Sequence, residues 1–100
     1  MDEFIHNRLT VLGPRLVLKE FLLTDWGKKL RAQYFDLIEN GKTRFIGQFE
    51  TTNVALPRLT ALSRAWPRLV FLLDYENEKS RIKGLTKVKF GELEHCEIGY

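Results

Sequence analysis

Apolar and polar positions alternate along residues 44–50, with Phe45, Gly47 and Phe49 set against Arg44, Ile46, Gln48 and Glu50. That two-residue period is the mark of a half-buried strand. Leu56, Leu59, Leu62 and Trp66 then recur at helical spacing, behind Thr51, Thr52 and Asn53, which offer N-cap side chains. Pro67 stops this helix, because proline cannot continue the hydrogen-bond ladder and disfavours helical dihedrals at the residue before it. Residues 68–75 alternate again, Leu69, Phe71, Leu73 and Tyr75 on one side and Val70 and Leu72 on the other. A strand apolar on both faces lies inside a sheet. The stretch from Arg44 to Tyr75 is therefore a βαβ unit.

The same patterning organises the rest of the chain. Residues 8–12 form a first strand, Leu9 and Val11 opposing Arg8 and Thr10, closed by Gly13-Pro14. Pro14 suits a first helical turn, and Leu18, Phe21 and Leu22 make the i, i+3, i+4 stripe of a helix laid on a sheet. Gly27 weakens that helix, which either ends near Trp26 or kinks and resumes through Leu30. Residues 34–38 and 42–50 flank Glu39-Asn40-Gly41, where Asn-Gly predicts a tight hairpin with positive φ. The order is βαββαβ, an α+β ferredoxin-like plait: a mostly antiparallel sheet with two helices on one face and the other face open.

Beyond Tyr75, residues 76–80 make a turn and residues 81–90 alternate. Ile82, Gly84, Thr86, Val88 and Phe90 share one face; Arg81, Lys83, Leu85, Lys87 and Lys89 share the other. Gly91-Glu92 fits a two-residue type II′ loop, which sets Lys89 opposite Glu94, Lys87 opposite Cys96, Leu85 opposite Ile98 and Val88 opposite His95. The tail thus adds a C-terminal hairpin to one domain spanning residues 1–100.

Composition places the chain in the globular class: 44% of residues are hydrophobic and 29% charged. The apolar run 69–73 is far short of the roughly 20 residues a membrane helix requires, and MDEFIHNRL lacks the basic start of a secretory signal. Cys96 is the lone cysteine, so no internal disulfide can form, in keeping with a reducing, cytoplasmic setting. A net charge of +3 is ordinary and does not by itself indicate a nucleic-acid partner.

Several of these pieces together resemble the YubB-type ferredoxin-like domain family of phages and plasmids. The matching residues are Asn7-Arg8-Leu9-Thr10-Val11 with Gly13-Pro14, Phe49-Glu50-Thr51 before a helix containing Pro57, Leu62 to Trp66, Pro67-Arg68-Leu69, Phe71, Leu73-Asp74-Tyr75, Gly84 and Gly91-Glu92-Leu93. The chain departs from the family where Phe4-Ile5 replaces Trp-Cys and Asn53-Val54-Ala55 replaces Trp-Ser-Pro. The resemblance implies the plait with an extra strand and an origin on a mobile element. It implies no activity, since the family has none established.

Candidate chemistry is sparse. His6, His95 and Cys96 are the only soft metal ligands, and adjacent strand residues such as His95 and Cys96 point to opposite faces. Ser63 and Ser80 stand in no nucleophile motif, and no G-x-S-x-G, phosphate-binding loop or dinucleotide fingerprint is present, so no cofactor is implied. Glu92 and Glu94 read as ion-pair partners of facing lysines rather than as an acid and base. An enzyme is therefore not expected.

Two surface features remain. Arg81, Lys83, Lys87 and Lys89 form a basic stripe, either a charged strand kept from edge pairing or a set of phosphate contacts. Phe45, Phe49, Phe71, Tyr75 and Phe90 are expected to face the helices, leaving Ile46, Val70, Leu72 and Leu85 as an aliphatic island ringed by Arg8, Gln48, Glu50 and lysines, unless the tail through Ile98 and Tyr100 covers it. Such an island suits a protein contact, with a host or phage protein complex or with a second copy as a homodimer. The expectation is a non-catalytic binding protein of a mobile element, analogous by size and origin to inhibitors of bacterial defence such as anti-CRISPR proteins. The alternative is a weak, sequence-independent nucleic-acid binder using the basic strand face.

Overall fold

A computed structural model of the chain describes residues 4–99. It is an α+β fold with six strands in a single antiparallel sheet: β1 (Ile5–Leu12), β2 (Gln33–Asn40), β3 (Arg44–Thr51), β4 (Val70–Asn77), β5 (Ile82–Lys89) and β6 (Glu92–Gly99), in spatial order β2-β3-β1-β4-β5-β6. Three helices accompany them, α1 (Arg15–Leu22), the single turn α2 (Trp26–Lys29) and α3 (Leu56–Ala65). None of the described helices is long and apolar enough to cross a membrane.

The period-2 pattern sorts the sheet's side chains as expected. Ile5, Leu9, Val11, Phe45, Phe49, Phe71, Leu73, Tyr75 and Val88 are buried, and they share one core with Leu18 and Phe21 of α1, Trp26 of α2 and Leu59 and Leu62 of α3. Aromatic rings tie these elements together. Phe21 meets Trp66 at 5.4 Å and Phe71 at 5.5 Å between centroids, and Trp26 meets Phe45 at 5.5 Å. Buried Asn7 is hydrogen-bonded through Nδ2 to the Ile5 and Phe49 carbonyls and the Thr51 hydroxyl, joining the ends of β1 and β3.

Local chemistry departs from expectation at the element ends. α1 stops at Leu22, before Gly27, as the Thr24 hydroxyl donates to the Phe21 carbonyl at 2.6 Å; the chain then resumes for one turn as α2, with Gly27 inside it. α3 is capped by none of Thr51, Thr52 or Asn53: its N-cap is Ala55, while the Thr51 hydroxyl donates to the Asn53 carbonyl. The β2–β3 turn is displaced from Asn40-Gly41 to Lys42-Thr43, and neither Asn40 nor Gly41 takes positive φ. Pairing runs on because Glu39 binds the Arg44 guanidinium and Gly41 N–H donates to the Arg44 carbonyl; a Cβ on Gly41 would come 2.9 Å from that oxygen, so glycine serves close approach here.

The last hairpin also differs. Its two-residue loop is Phe90-Gly91, with φ of 49° and 76°, the positive pair of a type I′ turn. Lys89 therefore pairs with Glu92, Lys87 with Glu94, Leu85 with Cys96 and Val88 with Leu93, two residues from the predicted register, which leaves each side chain on its predicted face. A nonlocal contact holds this loop: Gly91 N–H donates to the buried Ser63 hydroxyl at 2.8 Å, and the Arg64 side chain fills the space a Gly91 Cβ would need. Phe90 is consequently 62% exposed rather than turned inward. Arg81 precedes β5, in a turn with φ of 58°, and is not part of the strand stripe.

Candidate nucleic-acid and protein interface on the sheet

Cross-strand partners project to the same side, so the register writes out the sheet face that does not carry the core. One row reads Glu50, His6, Glu76, Lys83, Ile98 from β3 to β6; the next reads Asp36, Gln48, Arg8, Asp74, Leu85, Cys96 from β2 to β6. The third is Glu39, Ile46, Thr10, Leu72, Lys87, Glu94; at the end of the strands Leu12 pairs with both Arg44 and Val70, and Lys89 pairs with Glu92. Ile46, Val70 and Leu72 are half-buried and Leu85 is 57% exposed. The predicted island is thus in place, and Leu12 fills its centre between Arg44 and Val70. Leu12 shares its face with Arg8 and Thr10, so the alternation of β1 itself points to it.

On diagonal positions the band runs from Ile46 and Leu12 through Val70 and Leu72 to Leu85 and Ile98. β6 lies beside β5 and extends the sheet, so Ile98 widens the band instead of covering it; Tyr100 falls outside the described residues. No core-face aromatic appears on this side, but Tyr34 of the bulged edge strand β2, with φ of 53°, rims it, a placement that the strand pattern gave no hint of.

The basic stripe is diluted by its neighbours. Lys87 faces Glu94, Lys89 faces Glu92, and Lys83 Nζ lies 3.8 Å from Glu76 Oε1. An alternation of charges along facing strands stabilises the pairing and cancels the local field that would collect phosphate. Toward the other end a concavity of about 340 Å³ is lined by His6, Arg8, Tyr34, Asp36, Gln48 and Glu50 among others, with His6 Nδ1 3.1 Å from Glu50 Oε1. It too mixes signs, offering donors and acceptors beside the aliphatic band.

The candidate ligands and nucleophiles are dispersed. His95 faces Thr86 and Tyr75 while Cys96 faces Leu85 on the other side, and among the described residues no group of three metal-ligating side chains converges. Ser63 is structural, bonded to Thr60 and Gly91, and Ser80 lies in the β4–β5 turn with its N–H on Asn77.

A polar cluster unseen in the sequence docks β6 to the core. The Tyr75 ring lies over Gly84, its hydroxyl donates to Glu97 Oε2, and it stacks on His95 at 5.9 Å and 9°. With the phenol proton given to Glu97, its contact to His95 Nε2 at 3.2 Å needs the hydrogen on Nε2, leaving Nδ1 to accept from Thr86. Burial above all, and then the Glu97 hydrogen bond and charge, hold the Tyr75 phenol well above its ordinary value of 10.0. The unfolded chain's phenol ionises first, so this contribution to stability is complete below about pH 10 and is lost as pH rises beyond it toward the folded value. Denaturation midpoints measured through the alkaline range should fall more steeply for the native chain than for Tyr75→Phe; parallel curves would show that the phenol is not held as described.

No protein-family model, no curated protein and no solved structure matches this chain.

Proposed function

We propose that this chain is a non-catalytic binding protein that occupies a partner protein through the bare side of its sheet. In this reading the first four strands, α1 and α3 form the βαββαβ ferredoxin-like plait with both helices on one side, and the β5–β6 hairpin widens the surface offered to the partner. The observation that carries the proposal is the aliphatic band of Ile46, Leu12, Val70, Leu72 and Leu85, bordered by interleaved Lys, Arg, Asp and Glu. An apolar centre with a mixed polar rim is the anatomy of a protein interface. The resemblance to the phage and plasmid family extends the proposal to a cytoplasmic protein of a mobile element acting on a host or phage complex, with inhibition of a bacterial defence system as its role; that extension rests on resemblance and size.

Leu85→Asp and Leu72→Asp test the contact. Leu85 is exposed, so its replacement should leave the midpoint of unfolding within about 0.5 kcal/mol of the native chain. A partner captured by the native chain from phage- or plasmid-bearing cells, identified by mass spectrometry and purified, should bind Leu85→Asp at least about tenfold more weakly. Undiminished binding by both folded variants would remove the sheet face from the interface.

A further inference from the structure

We propose that the helical side of the molecule is a docking surface for the sugar–phosphate backbone of nucleic acid, separate from the protein contact on the sheet. The net charge of +3 hides a partition. Residues 13–32 and 52–69, which carry the three helices, hold eight Lys and Arg and two acids, a net of +6; all other residues hold eight Lys and Arg and eleven acids, a net of −3. Seven of the eight helical-side cations are exposed and Arg58 is half-buried. Among the described residues only Lys29 has a carboxylate partner there, Asp25 at 3.7 Å. The contrast with Lys83, Lys87 and Lys89, each set against an acid, locates the unanswered positive field on the helices.

Two shallow concavities give that field shape. One, of about 270 Å³, places Arg15, Lys19 and Lys42 around Leu18 and Leu22; the other, of about 300 Å³, places Lys29 and Arg58 beside Ala61 and Ala65. No acidic side chain lines either. Ala61 and Ala65, one turn apart, keep the floor low enough for a backbone to approach the flanking cations. Five of the eight are arginines, whose planar fork matches phosphate.

The spacing favours a nucleic acid over an acidic protein. The cations are spread over Arg15 and Lys19 of α1, Lys28 and Lys29 of α2, Arg58 and Arg64 of α3, and Arg31 and Arg68 just beyond, an extended array that a chain of repeated negative charges can meet at several points. Protein interfaces centre on clustered aromatic or aliphatic anchors, whereas here Phe21 and Trp26 are buried and Leu16 and Leu23 are exposed singly. The exposed rings of Tyr34, Phe35 and Phe90 belong to β2 and the β5–β6 loop, and none stands on a helix, so the helices offer contacts to the backbone and not to bases, independent of sequence.

Fluorescence anisotropy with a labelled duplex of arbitrary sequence tests this directly. Binding should be detectable at about 50 mM salt and fall about a hundredfold by about 200 mM, as release of counterions from some four phosphates requires. The variant Lys19→Glu/Lys28→Glu/Arg68→Glu, altered at exposed sites only, should bind at least about tenfold more weakly, and Lys83→Glu/Lys87→Glu/Lys89→Glu within about threefold of the native chain. Circular dichroism establishes that both remain folded. Absence of binding at low salt overturns the proposal, as does loss confined to the sheet variant. Equal affinity for polyglutamate or for anionic lipid vesicles would reassign the surface to an acidic protein or a membrane.

Discussion

Gly84→Ala should destabilise the protein by about 3 kcal/mol, the upper range for overpacking a filled core. A Cβ built on Gly84 lies 2.1 Å from Tyr75 Cζ and 2.3 Å from Cε1, distances at which one group must leave. The strand cannot yield, since Gly84 is paired with Tyr75 on one side and with Glu97 on the other. The ring has no free direction either: it is 3% exposed, stacked on His95, and fixed at its tip by Glu97. Expelling it forfeits its burial and the bonds that dock β6. Urea denaturation measures the loss, and a double-mutant cycle with Tyr75→Leu isolates its origin: in the Tyr75→Leu background, Gly84→Ala should cost much less. An equal cost in both backgrounds would mean that the ring is not what excludes a side chain at Gly84.

That contact illustrates what can be read from a linear pattern. The faces of β1, β3, β4 and β5 were legible because burial there follows a two-residue period, which put Phe45, Phe49, Phe71 and Tyr75 inside, where they are buried; the edge strands β2 and β6 are exposed along almost their whole length and show no such period. The pattern also put Gly84 on the inner face without disclosing that Tyr75 occupies the space above it. Turns were less legible because distant groups decide them. Asn40-Gly41 has the composition of a tight hairpin, yet the Glu39–Arg44 pair carries the strands two residues further and Gly13 N–H secures the tip by donating to the Thr43 carbonyl. Phe90-Gly91 is placed by Ser63, 28 residues away along the chain. The candidate site divides the same way: Ile46, Val70, Leu72 and Leu85 follow from alternation, but the facing of Lys87 by Glu94 depends on a register that only the turn could set. The partition of charge between helical and strand segments needed no coordinates to count. What it does not disclose is that Leu18 and Phe21 of α1, Trp26 of α2 and Leu59 and Leu62 of α3 share one buried core.

Phe21→Ala is expected to be more damaging still, costing about 4 kcal/mol. Phe21 is completely buried, and its ring is within 5.8 Å of Trp26, 5.4 Å of Trp66 and 5.5 Å of Phe71, so one side chain of α1 touches α2, the end of α3 and the sheet. Neighbours this large cannot collapse into the vacated space without breaking their own packing, which is why the cavity contribution adds to the lost transfer free energy instead of relaxing away. For a domain of this size a loss of about 4 kcal/mol lowers the melting temperature by roughly 15–30 °C, and Phe21→Leu, which keeps most of the volume, should lose less than half as much. A drop of only a few degrees for the alanine variant would mean that the three helices do not converge on this ring. Because six of the eight cationic residues proposed to meet phosphate stand on those same helices, partial unfolding in Phe21→Ala should weaken duplex binding as well, whereas Phe21→Leu, still packed, should bind as the native chain does.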